Sequence, residues 1–200
     1  YPSMRRNYTA GFNKPTYWSM FCMATGLSSI FRRSRLFNPE SLLWWKWNDP
    51  RRVDIVTGCF MLIKKQLWLR LNGFDLRFFM YCEDADLCFR SKYLCQYPVI
   101  VPKVEIIHYG GASDTVRADK LIRLIQAKNR LFQKHWPVGK YKYALIMLYI
   151  WVYTRKIFYW VCATLIRKSY SFQYEQWNDV LKRKKEWFTL ISISQYGYGG

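Results

Sequence analysis

Asn72-Gly73-Phe74-Asp75-Leu76-Arg77-Phe78-Phe79-Met80-Tyr81-Cys82-Glu83-Asp84-Ala85-Asp86-Leu87-Cys88 is the stretch on which the reading of this chain turns. Asn72-Gly73 stops a helix that the pattern places over residues 64–71, because glycine accepts the left-handed backbone that follows a helix end. After a turn through Phe74-Asp75, residues 84–94 begin acidic and finish basic, the charge order that suits a helix dipole. Glu83 and Asp84 therefore fall at a helix N-terminus. Carboxylates spaced one and two apart there point in different directions within a single turn. At least one is expected to face a cleft, where a carboxylate can take the proton of a hydroxyl nucleophile. On composition alone, the plain reading of the cluster is N-terminal helix charge.

Upstream, Val53-Asp54-Ile55-Val56 and Cys59-Phe60-Met61-Leu62-Ile63 are apolar, partly β-branched runs separated by Thr57-Gly58. They read as buried strand with a close backbone approach at the glycine. Downstream, residues 97–101 and 104–107 read as short strands around Pro102, ending at His108 and the turn Gly110-Gly111. A ring at that strand end stands where α/β sites form, and imidazole there can bind a divalent metal; the plain alternative is a hydrogen-bonded structural histidine. The alternation of strand and helix predicts an α/β fold, in a unit too short to be a complete nucleotide-binding domain. Residues 1–52 read as irregular chain broken by Pro2, Pro15, Pro39 and Pro50, with a short helix over 17–27 and a basic cluster at Arg32, Arg33 and Arg35.

The C-terminal part has another character. Over residues 119–136, Leu121, Leu124, Ile125, Leu131 and Phe132 recur at helical spacing beside Lys120, Arg123, Lys128, Arg130 and Lys134, the pattern of a basic amphipathic helix. Residues 143–166 are apolar except for Thr154, Arg155, Lys156 and Thr164. Their length suits a bilayer, but two cations near the middle cost about 2.5–3.5 kcal/mol each on insertion. The expectation is a pair of interfacial helices, or one lying in the membrane surface, rather than a clean span. Residues 169–200 form a polar, aromatic tail without a readable pattern.

Composition supports that division. The 200 residues are 51% hydrophobic and 20% aromatic with a net charge of +19, which predicts an anionic partner. Residues 116–200 carry 16 Lys and Arg against 4 Asp and Glu, and residues 1–115 carry 16 against 9. Six cysteines without a C-x-x-C pair read as reduced thiols in a cytoplasmic protein rather than a disulfide framework or a zinc site. A first residue of Tyr1 rather than Met predicts a fragment.

Three ordered motifs carry a family resemblance. Residues 53–63, residues 72–88 and the pair Val101-Pro102 with His108-Tyr109-Gly110-Gly111-Ala112-Ser113 resemble the second half of family 2 glycosyltransferases, rhamnosyltransferase-like members above all. Ser34-Arg35-Leu36-Phe37 and Asn129-Arg130-Leu131-Phe132-Gln133-Lys134-His135 are weaker matches. The resemblance implies a partial GT-A, Rossmann-like domain over residues 1–115, the acceptor side, followed by a basic, membrane-associating helical region over 116–200. It implies inverting transfer from a nucleotide-diphosphate sugar to a hydroxyl of a glycan or lipid-linked acceptor, in cell-surface polysaccharide synthesis at the cytoplasmic face of the membrane. Asp84 would be the general base with Glu83 beside it. Gly58, Thr57 and Asp86 would serve the substrate site, Asp86 also orienting or capping its helix. His108 would contribute to a Mg2+ or Mn2+ site. The family's Asp-x-Asp motif and donor-binding half have no counterpart here, so the chain by itself is expected to be inactive.

Two readings of other classes stand beside this one. A basic single-stranded nucleic-acid module would use the charge and the aromatics for phosphate contacts and stacking, but the aromatics fall within apolar runs, so no nucleic-acid partner is expected. A membrane-surface scaffold without catalysis would leave the acidic cluster idle.

Overall fold

A computed structural model of the chain describes residues 9–107 and 117–188. In order, it forms β1 (Gly11–Phe12), α1 (Tyr17–Thr25), α2 (Leu27–Ile30), β2 (Arg51–Arg52), β3 (Ile55–Val56), α3 (Lys65–Leu71), α4 (Glu83–Tyr93), β4 (Val99–Ile100), α5 (Arg117–His135), α6 (Val138–Leu165) and α7 (Ser171–Lys182). Short 3-10 turns follow α6 and α7, at Lys168–Tyr170 and Lys184–Phe188.

Local chemistry sets several boundaries. Thr16 and Ser19 cap α1 reciprocally: the Ser19 N–H donates to Thr16 Oγ1 at 3.0 Å and the Thr16 N–H to Ser19 Oγ at 2.7 Å. Gly26, at φ 90°, ends it. Pro137 supplies the N-cap of α6 and separates it from α5.

The sheets are two antiparallel pairs. In one, Gly11 faces Val56 and Phe12 faces Ile55; in the other, Arg51 faces Ile100 and Arg52 faces Val99. Gly11 stands where they meet, since a Cβ there would lie 2.6 Å from Ile100 Cδ1 and 2.7 Å from the Ile55 carbonyl oxygen. The strands are much shorter than the apolar runs suggested. Residues 53–56 pair only at Ile55–Val56, residues 97–101 only at Val99–Ile100, and residues 59–63 and 104–107 form no strand. Leu62 remains 87% exposed. An apolar run without a neighbouring strand has nothing to donate to, and this one lines an open cleft instead.

The largest core is helical. Met20 and Ala24 of α1, Ile122, Ile125 and Phe132 of α5, Ala144, Leu148 and Val152 of α6, Val180 of α7 and Trp187 are all buried together. This core crosses the expected boundary between residues 115 and 116. It also takes up the apolar stripe of α5, so that stripe faces protein rather than lipid. Residues 143–165 lie within one unbroken helix, not a pair, and Ile166 is its C-cap. Its polar groups are met by the N-terminal helices: Thr154 Oγ1 donates to the Ala24 carbonyl and Arg155 Nη2 to Ser29 Oγ, both at 2.7 Å. Among the described residues α6 is the helix long and apolar enough to cross a membrane. Two small clusters complete the interior: Leu42, Trp47, Val53 and Ile100, and Ile55, Phe78, Ala85 and Leu131. The second attaches α4 to β3 and α5.

Candidate active site

The site is organised by the first two turns of α4. Ahead of it, α3 stops where expected, with Asn72 at φ 54° and Gly73 at φ 65°. That turn is fastened to α4 by Arg90, whose Nη1 donates to the Leu71 carbonyl at 2.6 Å and Nη2 to the Gly73 carbonyl at 2.8 Å. Tyr81 and Cys82, at φ 68° and 64°, then form a consecutive left-handed pair. Neither side chain suits that region, so local strain is held immediately before Glu83. No signal in the sequence marks it.

Asp86 is 0% exposed. Its Oδ2 accepts from Arg90 Nε at 2.7 Å, and its Oδ1 faces Lys134 Nζ at 2.5 Å and His135 Nε2 at 2.7 Å. Burial works to raise its pKa, but His135, Lys134 and Arg90 together outweigh burial and bring it to about 2. Lys134 also reaches Asp75 Oδ2 at 2.7 Å, and Asp75 pairs through both oxygens with Arg77. The Arg77 hydrogen bond is the largest influence holding the Asp75 carboxyl well below its ordinary range. Asp86 thus joins α4 to the end of α5.

Asp84 is placed differently. It is half-buried, its Oδ1 accepts the Ala85 N–H at 2.7 Å, and its Oδ2 accepts the Gly58 N–H at 2.9 Å. A Cβ on Gly58 would stand 3.7 Å from the Asp84 Cβ, an ordinary contact, so the space here does not demand the glycine that the sequence reading took for a close approach. Thr57 is tied down beside it, its N–H donating to the Ala10 carbonyl at 3.0 Å. Glu83 has one oxygen buried without a hydrogen-bond partner, and its pKa is raised, by burial first and then by Asp84.

Thr57 and Cys59, which flank Gly58, line a cleft of about 440 Å³ with Phe60, Leu62, Cys88 and Val99 among its other walls. Most of that lining is apolar. Burial pushes the Cys88 thiol up to about 11 and the Cys82 thiol up to about 12, so neither is a thiolate nucleophile at neutral pH. His108 lies outside the described residues. Among the described residues no three His, Cys, Asp or Glu side chains gather as a metal site.

Sequence reasoning singled out Glu83, Asp84, Gly58 and Thr57; the structure sets Asp84 on the Gly58 amide with Glu83 and Thr57 as their chain neighbours, and of the four Thr57 lines the cleft while the two carboxylates do not. It missed what Arg90, Lys134 and His135 do. The readable signal was an acidic helix start in α4 opposite a cationic helix end in α5, two features 49 residues apart in the chain.

Over 58 residues the chain is 46% identical to the rhamnosyltransferase WbbL of Escherichia coli (strain K12), covering 29% of this chain and 22% of that protein. Over 65 residues it is 34% identical to the N-acetylglucosaminyl-diphospho-decaprenol L-rhamnosyltransferase of Mycobacterium tuberculosis (strain ATCC 25618 / H37Rv), covering 32% of this chain and 21% of that protein. The matched stretches thus span about a fifth of the relatives' length. No family profile and no solved structure matches the chain. What the chain holds in common with known proteins is a segment of glycosyltransferase sequence, similar to rhamnosyltransferases over part of their length.

Proposed function

We propose that this chain supplies the acceptor side of an inverting family 2 glycosyltransferase of GT-A fold, moving a sugar such as rhamnose from a nucleotide-diphosphate donor to an acceptor hydroxyl. The observation that carries the reading is Asp84: a half-buried carboxylate at a helix start, oriented by the Gly58 N–H beside the cleft. In this reaction Asp84 takes the proton of the acceptor hydroxyl while the oxygen attacks the anomeric carbon. The bond from that carbon to the diphosphate breaks on the opposite face, and its electron pair leaves with the nucleotide. Glu83 and Asp84 stand side by side at the start of α4, and burial above all raises the Glu83 pKa. Asp86, Arg90 and His135 hold the helix that aims them.

The largely apolar cleft beside Thr57 supports a lipid-linked acceptor, of the kind the mycobacterial relative's name describes. The enzyme would work at the cytoplasmic face of a membrane, where the chain's positive charge meets anionic lipid. A Mg2+ or Mn2+ ion would offset charge on the departing diphosphate; the described residues offer no ligand set for it, and no step here is assigned to one.

The test is a chimera in which this chain's matching segment replaces that of the E. coli rhamnosyltransferase. Transfer is expected to survive the exchange and to fall by about 10²–10⁴ with Asp84→Asn, while circular dichroism stays unchanged. Undiminished turnover in that variant would remove Asp84 from the base role.

A further inference from the structure

Segment 30–37 reads Ile30-Phe31-Arg32-Arg33-Ser34-Arg35-Leu36-Phe37, and the reaction proposed above makes no use of it. It interleaves apolar and cationic side chains, and the structure leaves most of them outward. Ile30 is 72% and Leu36 60% exposed, and Phe31, Arg32, Arg33 and Arg35 are exposed as well. Two exposed rings of α1 adjoin them: Trp18 stacks on Phe21 at 5.5 Å between centroids and meets Phe37 at 6.4 Å, and Phe37 meets Phe31 at 4.9 Å.

The segment is a fixed shape. Trp18 Nε1–H donates to the Leu36 carbonyl at 2.6 Å, Ser34 Oγ accepts the N–H groups of Leu36 and Phe37 at 3.2 Å, and Asn38 Nδ2 donates to the Arg32 carbonyl at 2.8 Å. Those links satisfy part of the segment's backbone from within, which lowers the cost of entering a poorly hydrated layer. Arg155 of α6 reaches Ser29 at 2.7 Å, and the exposed Phe158 lies three residues further along the same helix face.

We propose that this surface, the segment 30–37 with Trp18 and Phe21, is where the chain docks on an anionic bilayer. The inference rests on the membrane part of the function proposed above and names the surface responsible. Charge complementarity selects the occupant: Arg32 and Arg33 are exposed beside the apolar groups of the segment, where lipid phosphates stand at headgroup depth, while the Arg35 guanidinium lies over the Trp44 ring at 4.4 Å. Single-stranded nucleic acid fits less well, because Ile30 and Leu36, the two most exposed apolar groups of this surface, offer no ring to a base. The basic helix α5, which the sequence nominated for this task, has its apolar face in the core.

Co-sedimentation of the 200-residue chain with phosphatidylcholine vesicles, with and without phosphatidylglycerol, tests this. The parent chain binds the anionic vesicles in preference. Arg32→Gln with Arg33→Gln weakens that binding about tenfold or more at low salt, and the difference closes at high salt. Ile30→Ser with Leu36→Ser weakens it at both. Anionic binding that both loop pairs retain, but that Phe158→Ser with Trp160→Ser removes, overturns the inference and leaves the membrane reading standing. No preference for anionic vesicles in the parent overturns both, without touching the role of Asp84. Displacement of vesicles by a single-stranded oligonucleotide in the parent, lost in the arginine pair, would assign the surface to nucleic acid. A dimeric parent made monomeric by the serine pair would assign it to a second copy.

Discussion

In the bundle of α1, α5, α6 and α7, Met20, Phe132, Leu148, Val152, Val180 and Trp187 lose nearly all contact with solvent, and apolar burial unites the helices. Around α4 the interior clusters are small, and the joints are polar instead: Asp86 with Arg90, Lys134 and His135, Asp75 with Arg77, Asp54 with Lys92, and Asp84 with the Gly58 amide. Apolar burial is indifferent to acid and to small rotations, while ion pairs and amide hydrogen bonds are directional and titrate. The difference teaches that the half bearing the carboxylates gains orientation from its polar joints, at the expense of stability that varies with pH.

That contrast can be broken or sharpened by experiment. Phe132→Ala is expected to destabilise the bundle by about 3–5 kcal/mol, read as a lowered denaturant midpoint by far-ultraviolet circular dichroism; a loss below about 1 kcal/mol would deny that burial dominates there. Asp86→Ala leaves Lys134, His135 and Arg90 without their shared anion and should cost about 3 kcal/mol. Hydrogen exchange should find that loss in α4 amides with α6 amides largely protected, and equal loss in both would erase the distinction between the halves.

The acid response separates the halves without mutation. Asp75 and Asp86 have depressed folded pKa values, so their contribution is complete above the ordinary carboxylate value and is lost as pH falls through the folded one, about 2 for Asp86. Between roughly pH 4 and 2, exchange in α4 should accelerate before that in α6; the reverse order would contradict the assignment of forces. Glu83 has the opposite sign, since its raised pKa favours the protonated folded state and its burden grows as pH rises past the ordinary value. Glu83→Gln should therefore raise the stability of α4 slightly at neutral pH, and a fall would show that an ionised Glu83 has a partner there. Smallest of all is Gly58→Ala. Its Cβ would meet Asp84 at ordinary contact distance, so a change within about 0.5 kcal/mol is expected.

The helices were legible where a local rule fixed them. Charge order marked α4, Asn72-Gly73 ended α3, and helical spacing marked α5. Strands were overread because an apolar run does not reveal whether a partner strand exists; residues 59–63 have none. The continuity of α6 depended on Ala24 and Ser29, about 130 residues earlier, receiving Thr154 and Arg155. In the site, Thr57 with Gly58 and Glu83 with Asp84 were legible as members of two separate motifs, 26 residues apart, and the hydrogen bond that joins them was not. The burial of Asp86 was not, because its three partners are a helix neighbour and two residues from the end of α5, and only tertiary packing brings them to one carboxylate.

The six cysteines add a consequence of a different kind, for timing. Cys59 and Cys95 are exposed, Cys88 is buried in α4 and Cys162 in α6. A maleimide pulse would label the first two at once, and Cys59 at a rate set by whatever occupies the neighbouring cleft. Cys88 and Cys162 would react only as their own helices open, so the interval between those two modifications is a clock for the parting of α4 from the bundle.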